Sequence, residues 1–298
     1  MTDLDILKKN TAKISVLSNL SLIIMKFIAG FVTGSFSIIS EVLHSATDLL
    51  AAYIAYFAVK KSAKSADEDH PFGHGKYEDF SGLIEGVLIN IAAIYIIFEA
   101  GRKIIMQEHA IMNIDIAAGV MILSVVVNIF VSQNLFRVAK KTGSIALYAD
   151  GEHLRVDVYT SLGVALGMLL IKFTGIHILD SLIALIVAVM ISHTGMSICK
   201  KAVGNLLDEG LPEADVSEIR EIVNSFKDDG VYGVSKIRTR TSGPRKNIEL
   251  VVYVKGSMTV KESHDICNKI EAGLRARFNQ VDTMIHIEPK SDIMSKSV

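Results

Sequence analysis

The sequence predicts an α-helical membrane protein with six transmembrane helices and a C-terminal cytoplasmic α+β domain. Three observations carry this reading. Half of the residues are hydrophobic, and the mean hydropathy is +0.39, which is high for a soluble chain. The apolar residues gather into runs of membrane-spanning length, for which about 20 residues suffice. After Cys199 the pattern changes to short alternating and charged segments. The expected domains are therefore 1–204, the transmembrane helices, and 205–298, a cytoplasmic α+β domain.

The spans are expected at 14–34, 37–59, 80–99, 114–135, 150–171 and 177–198. The leading MTDLDILKKNTAKIS contains acidic residues and no cleavage pattern, so the first apolar run is expected to stay in the protein. Orientation follows from lysine and arginine in the short loops. Lys8, Lys9 and Lys13 precede the first span; Lys60, Lys61, Lys64 and Lys76 separate the second and third. Arg137, Lys140 and Lys141 lie between the fourth and fifth, and Lys200 and Lys201 follow the sixth, whereas the other side offers Arg102, Lys103 and Lys172. Both termini are thus expected in the cytoplasm, in an inner membrane crossed several times.

In the tail, 213–227 has helical periodicity through Val216, Ile219, Ile222, Val223 and Phe226. VYGVSKIRTRTSG alternates as a strand, Ser242-Gly-Pro244 turns the chain, and KNIELVVYVKG returns as a second strand. Segment 260–278 is a second amphipathic helix and VDTMIHIEP a third strand. The order α-β-β-α-β suits a small open sheet covered on one face by two helices, and so thin a domain is expected to dimerise.

The net charge is −1 and no basic patch interleaves with aromatic residues, which argues against nucleic acid as a partner. Cys199 and Cys267 stand far apart, so neither a disulfide framework nor a thiolate metal site is expected.

The chemistry sits in two short patterns. His44-Ser-Ala-Thr-Asp48 lies in the second apolar run and His153-Leu-Arg-Val-Asp157 in the fifth. Residues four apart share a helix face, separated by ~6 Å of rise. Two such helices facing each other supply two nitrogens and two oxygens, a set that suits tetrahedral Zn²⁺. The alternative is that the four residues are interhelical glue, but two buried carboxylates without a cation beside them are costly. Ionisable groups at membrane depth are functional by default. Asn90 and Asn128 read as interhelical hydrogen-bonders, His193 as packed or hydrogen-bonded, His109 as an outer-loop residue and His177 as lying near a helix end. Lys26, deep in the first span, is expected to pair with Glu41 or Glu85.

The stretch Ser35 to Asp48, the loop Asp69-His-Pro-Phe-Gly-His-Gly-Lys76 and the segment Ala149 to Asp157 resemble the signatures of the cation diffusion facilitator family, and the likeness covers nearly the whole chain. The resemblance implies a homodimeric secondary transporter, not an enzyme, with a metallochaperone-like tail. It would export a divalent metal from the cytoplasm against incoming protons, with the lipid bilayer around it. The implied transport ligands are His44, Asp48, His153 and Asp157. Many bacterial zinc and cadmium transporters of the family have an aspartate where this chain has His44. The second imidazole favours Zn²⁺, as transported substrate and regulatory ligand, over Mn²⁺. Export of Fe²⁺, Co²⁺, Ni²⁺ or Cd²⁺ by the same route, or a metal sensor on the same fold, are the alternatives.

The resemblance also implies a loop zinc site from Asp67, His70 and His74, and a salt bridge between Lys76 and Asp208. In the tail it implies a regulatory site from His264, His286 and Glu288, reduced because Ser235 and Val251 stand where relatives have histidines. An intramembrane metalloprotease would need His-Glu-x-x-His. Ser45 follows His44 and Leu154 follows His153, so the general base is missing.

Overall fold

The computed structural model describes residues 2–33, 36–106, 115–174 and 178–290. His109 and His177 lie outside them, as does the side chain of Glu41. The chain divides into two compact units, at Met1–Val203 and Gly204–Val298.

The first unit is built from α1 (Asp3–Thr33), α2 (Phe36–Ser62), α3 (Lys76–Met106), α4 (Asp115–Thr142), α5 (Ile145–Thr174) and α6 (Ile178–Leu206). They run for 27 to 31 residues, about 40–46 Å at the α-helical rise, which exceeds a hydrocarbon core of ~30 Å. The surplus lies in charged turns, such as Lys60 and Lys61 ending α2 and Lys140 and Lys141 ending α4. Each helix therefore outlasts the apolar run that announces it. Among the described residues, α1, α3, α4 and α6 are long and apolar enough to cross a membrane. The other two long helices, α2 and α5, carry the His–Asp patterns.

Large apolar side chains point outward from these helices: Phe31 is 81% exposed, Phe98 69% and Phe130 69%. Water would penalise such a surface and lipid does not. Inside, Ala12, Val59, Leu135, Ala146, Leu147 and Leu154 pack α1, α2, α4 and α5 together. Ile89, Ala93, Val156, Ile191 and Ile198 join α3, α5 and α6. Small residues set the α3–α6 approach. A Cβ on Gly86 would stand 2.7 Å from Cys199 Sγ and 3.1 Å from the Gly195 carbonyl oxygen. Beside them Ser192 Oγ donates to Asn90 Oδ1 at 3.1 Å, the interhelical role expected of Asn90.

At the end of the bundle that carries the α2–α3 loop, one carboxylate ties four segments. Glu78 on α3 accepts from Lys8 Nζ of α1 at 2.8 Å and from Ser62 Oγ of α2 at 2.7 Å. It also accepts from Ser144 Oγ, just before α5, which in turn accepts from the Leu147 backbone N–H.

The second unit holds α7 (Glu213–Asn224), a 3₁₀ turn (Lys227–Asp229), β1 (Val231–Ser242), β2 (Arg245–Val254), α8 (Val260–Arg277) and β3 (Val281–Pro289). Gly230, at φ 95°, supplies the left-handed residue that turns the chain into β1. The sheet order is β1-β2-β3, with β1 antiparallel to β2 and β2 parallel to β3. A parallel neighbour needs a crossover, and α8 provides it. Its start is fixed by a capping box between Thr259 and Glu262. Ile219 and Val223 of α7 and Ile266, Ile270 and Leu274 of α8 pack on Ile248, Leu250, Val252 and Val254 of β2. Ile285 and Ile287 of β3 pack against this core, so by strand alternation Met284, His286 and Glu288 lie on the opposite face.

Candidate metal centre

The α2 and α5 patterns meet inside the bundle. One ligand atom each from His44, Asp48 and Asp157 lies within 4.8 Å of the others. His153 Nε2 stands 3.2 Å from Asp48 Oδ1, and His44 Nε2 stands 3.8 Å from Asp157 Oδ1. Each imidazole therefore faces the carboxylate of the other helix, which the four-residue spacing alone does not dictate. His153 joins the group through Asp48 and is not a member of the convergent trio. A tetrahedral zinc site with ligand bonds of 2.0–2.2 Å has edges of about 3.4 Å. Side-chain rotation thus suffices to bring the trio to ligating distance. Asp48 is buried, Asp157 half-buried and His44 exposed within the unit.

Two neighbours were not legible as part of this centre. Asn128 of α4 donates from Nδ2 to Asp157 Oδ2 at 3.5 Å, so the interhelical bond expected of it lands on a candidate ligand. Lys26 does not pair with Glu85; its Nζ donates to Ser45 Oγ at 2.7 Å, one residue from His44. His193, expected to be packed or hydrogen-bonded, is exposed on α6.

The α2–α3 loop brings Asp67, His70 and His74 together, again with ligand atoms within 4.8 Å of one another. His70 Nδ1 lies 3.5 Å and His74 Nε2 3.6 Å from the Asp67 carboxylate. The two rings lie 4.3 Å apart, centroid to centroid. Gly73, at φ 80°, makes the bend that folds His74 back, and its N–H closes a turn on the His70 carbonyl at 2.9 Å. Asp67 accepts from Lys64 Nζ and from the His70 backbone N–H, which hold its carboxyl down at about 2 against the burial that raises it. An ionised carboxylate between two imidazoles is a chemically sound cation ligand set.

In the second unit, His286 Nε2 lies 3.6 Å from Glu288 Oε1 on one face of β3. His264 is exposed on α8 and is not gathered with them in any metal-ligand group among the described residues. The helices cover the face opposite His286, which separates the three expected ligands within one chain. Asp208, at φ 61°, pairs with Arg240 Nη1 at 3.4 Å in this unit. Lys76 opens α3 in the other unit.

Residues 12–207 match the family model described as the cation efflux transmembrane domain. Residues 211–290 match the one for the cation efflux protein cytoplasmic domain. The chain belongs to the cation efflux family. An uncharacterised transporter of Synechocystis is 34% identical over 281 residues, 94% of this chain and 90% of that protein. The cation-efflux pump FieF of Salmonella agona is 30% identical over 271 residues, 91% of this chain and 89% of the pump. Among solved structures, a chain of CzrB matches at 32% identity and TM-score 0.27, covering 28% of this chain and all of that one. The protein is thus a membrane transporter of metal cations rather than an enzyme, and its cytoplasmic domain belongs to a class named for dimerisation.

Proposed function

We propose that this protein exports divalent metal ions, Zn²⁺ foremost, from the cytoplasm in exchange for protons, through His44, Asp48, His153 and Asp157. The observation that carries this reading is the convergence of His44, Asp48 and Asp157 within 4.8 Å on facing helices, with His153 held at 3.2 Å from Asp48. Two imidazoles and two carboxylates bind a divalent ion with no net charge left over. Two nitrogens favour zinc over ions that want oxygen alone.

Coupling follows from competition. Imidazole titrates near neutral pH and binds metal as the neutral base. His153 facing Asp48 and His44 facing Asp157 are pairs in which a proton on the ring serves the carboxylate in place of the metal. Metal entering from the cytoplasm releases these protons, and protons from the outer side displace the metal. Alternating exposure of one site to two sides makes the exchange an antiport.

In this reading α2 and α5 complete six crossings of an inner membrane, with both termini in the cytoplasm. The chains act as a homodimer paired through the cytoplasmic domain, whose sheet leaves Met284 72% exposed. The loop site of Asp67, His70 and His74 holds zinc at the entrance, and His286 with Glu288 takes a regulatory ion between copies. The test is zinc-driven proton flux in proteoliposomes. Wild-type protein gives flux with Zn²⁺, Asp157→Ala gives none, and wild-type flux from that variant would overturn the assignment. Running Mn²⁺, Fe²⁺, Co²⁺ and Cd²⁺ in parallel tests the preference for zinc.

A further inference from the structure

Polar side chains form a file through the helical unit. On α1 the buried polar residues Lys8, Thr11, Ser15, Asn19 and Lys26 recur at near-helical spacing. On α3 the file continues through Glu78, Ser81 and Glu85, all of them buried. Its two ends are satisfied, by Lys8 on Glu78 at the loop end and by Lys26 on Ser45 beside the His–Asp ligands.

The middle is not satisfied. Glu85 of α3 is 0% exposed and Asp150 of α5 is 1% exposed, and none of their four carboxylate oxygens has a hydrogen-bond partner. Among the described residues, their electrostatic neighbours are each other and His153, with no lysine or arginine acting on either. Independent of the acids, Ser15 Oγ is 0% exposed, faces Asp150 without hydrogen-bond geometry and has no other partner. Ser81, one helical turn before Glu85, and Asn19, one turn after Ser15, likewise carry buried polar atoms without partners. Buried polar groups in folded proteins are satisfied almost without exception, and two ionised carboxylates buried without a counter-charge are costly. What this set lacks is a positive charge with several coordination positions.

We propose that Glu85 and Asp150 form a second divalent-cation site, an oxygen-lined station one helical turn from His153. Asp150 lies three residues before His153, ~4.5 Å of rise towards the loop end, and Glu85 lies seven residues inside Glu78, ~10 Å from that end. The station therefore sits between the mouth and the transport ligands, and this placement on the route rests on the export reading above. Its donors are carboxylates and hydroxyls, hard ligands that suit a cation still carrying water. The transport ligands add imidazole, which holds zinc more firmly. An incoming ion thus sheds water in stages, passing from a weak oxygen site to a stronger mixed one.

The probe is Mn²⁺, which prefers oxygen donors, counted by electron paramagnetic resonance with the full-length protein in nanodiscs. In an Asp48→Asn/Asp157→Asn background that also carries Asp67→Asn and Glu288→Gln to silence the loop and tail sites, one Mn²⁺ per chain is expected to bind at this station. Adding Glu85→Gln/Asp150→Asn weakens that ion tenfold or more, whereas Glu85→Asp, which keeps the charge, retains it. Should the combined variant fail to fold, Glu85→Gln alone is read in the same way. Equal Mn²⁺ occupancy with and without these carboxylates would overturn the proposal and leave the pair as carriers of protons. Because binding is counted without transport, loss of the export reading leaves this result separately legible.

Discussion

Glu78→Gln isolates the node that joins four segments at the loop end. The substitution keeps the volume and one acceptor for Ser62 or Ser144, but leaves Lys8 with a neutral partner. Lys8 and Glu78 are 1% and 0% exposed and 2.8 Å apart. Removing one member of such a buried pair costs about 3–5 kcal/mol, because the survivor is left as an uncompensated charge. Asp5, at 3.5 Å from the same ammonium and 14% exposed, remains in place. It supplies part of the lost counter-charge, which puts the expected loss at the low end, about 3 kcal/mol. That is roughly a 150-fold shift in the folded-to-unfolded ratio. The assay is a double-mutant cycle on unfolding in mixed micelles, with Glu78→Gln, Lys8→Met and the pair together. Lys8→Met removes the stranded ammonium, so the double variant should recover at least half of the loss shown by Glu78→Gln. Strict additivity of the two single changes would refute the account, since it would mean the two charges do not act on each other.

Two further expectations are local. Asn128→Leu removes the donor to Asp157, and outer contacts to metal ligands commonly change affinity 10–100-fold. At 3.5 Å the bond is long, so the apparent zinc affinity for transport should fall about tenfold, and a wild-type value would show that Asn128 only packs. In the loop, Lys64→Met removes the bond that holds the Asp67 carboxyl at about 2, below its ordinary 3.8. A depressed carboxyl pKa stabilises the fold above the ordinary value and loses that contribution as pH falls through the depressed one, so the window is about 3.8 to 2. Carboxyl-resolved NMR titration should place the Lys64→Met midpoint nearer 3.8, and an unmoved midpoint would assign the shift to the backbone of His70 instead.

The tail was legible in its elements, because β2 and β3 alternate and each helix has one apolar stripe. β1 is less regular: its pairing with β2 shifts register between Val231 and Gly233 and again between Val234 and Lys236, so Val231, Val234 and Ile237 all reach the core. In the membrane unit the existence of the helices was legible and their ends were not. α3 begins at Lys76 and α6 ends at Leu206, beyond the apolar runs, because a helix continues into water as long as its charged turns find partners. Glu78 is the clearest case: it looks like a loop residue and is instead fully buried, because Lys8, Ser62 and Ser144 converge on it.

The proposed transport ligands were legible for a different reason. Two charged pairs inside apolar runs violate the hydropathy of their surroundings, and the helical period fixes which residues share a face. Cross-pairing of His153 with Asp48 and His44 with Asp157 was not legible, since it depends on how α2 and α5 rotate against each other. The tail shows the same limit: His264, His286 and Glu288 have the right chemistry, but strand alternation puts two of them on the face that α8 does not cover. Ser15, Asn19 and Ser81 escaped notice because single hydroxyls and amides barely disturb an apolar run. Only the burial of Glu85 and Asp150 beside them turns these small side chains into part of a polar file. In this bundle the residues that violate hydropathy are the proposed stopping places of the ion, and the small polar residues lie on the same helix faces between them.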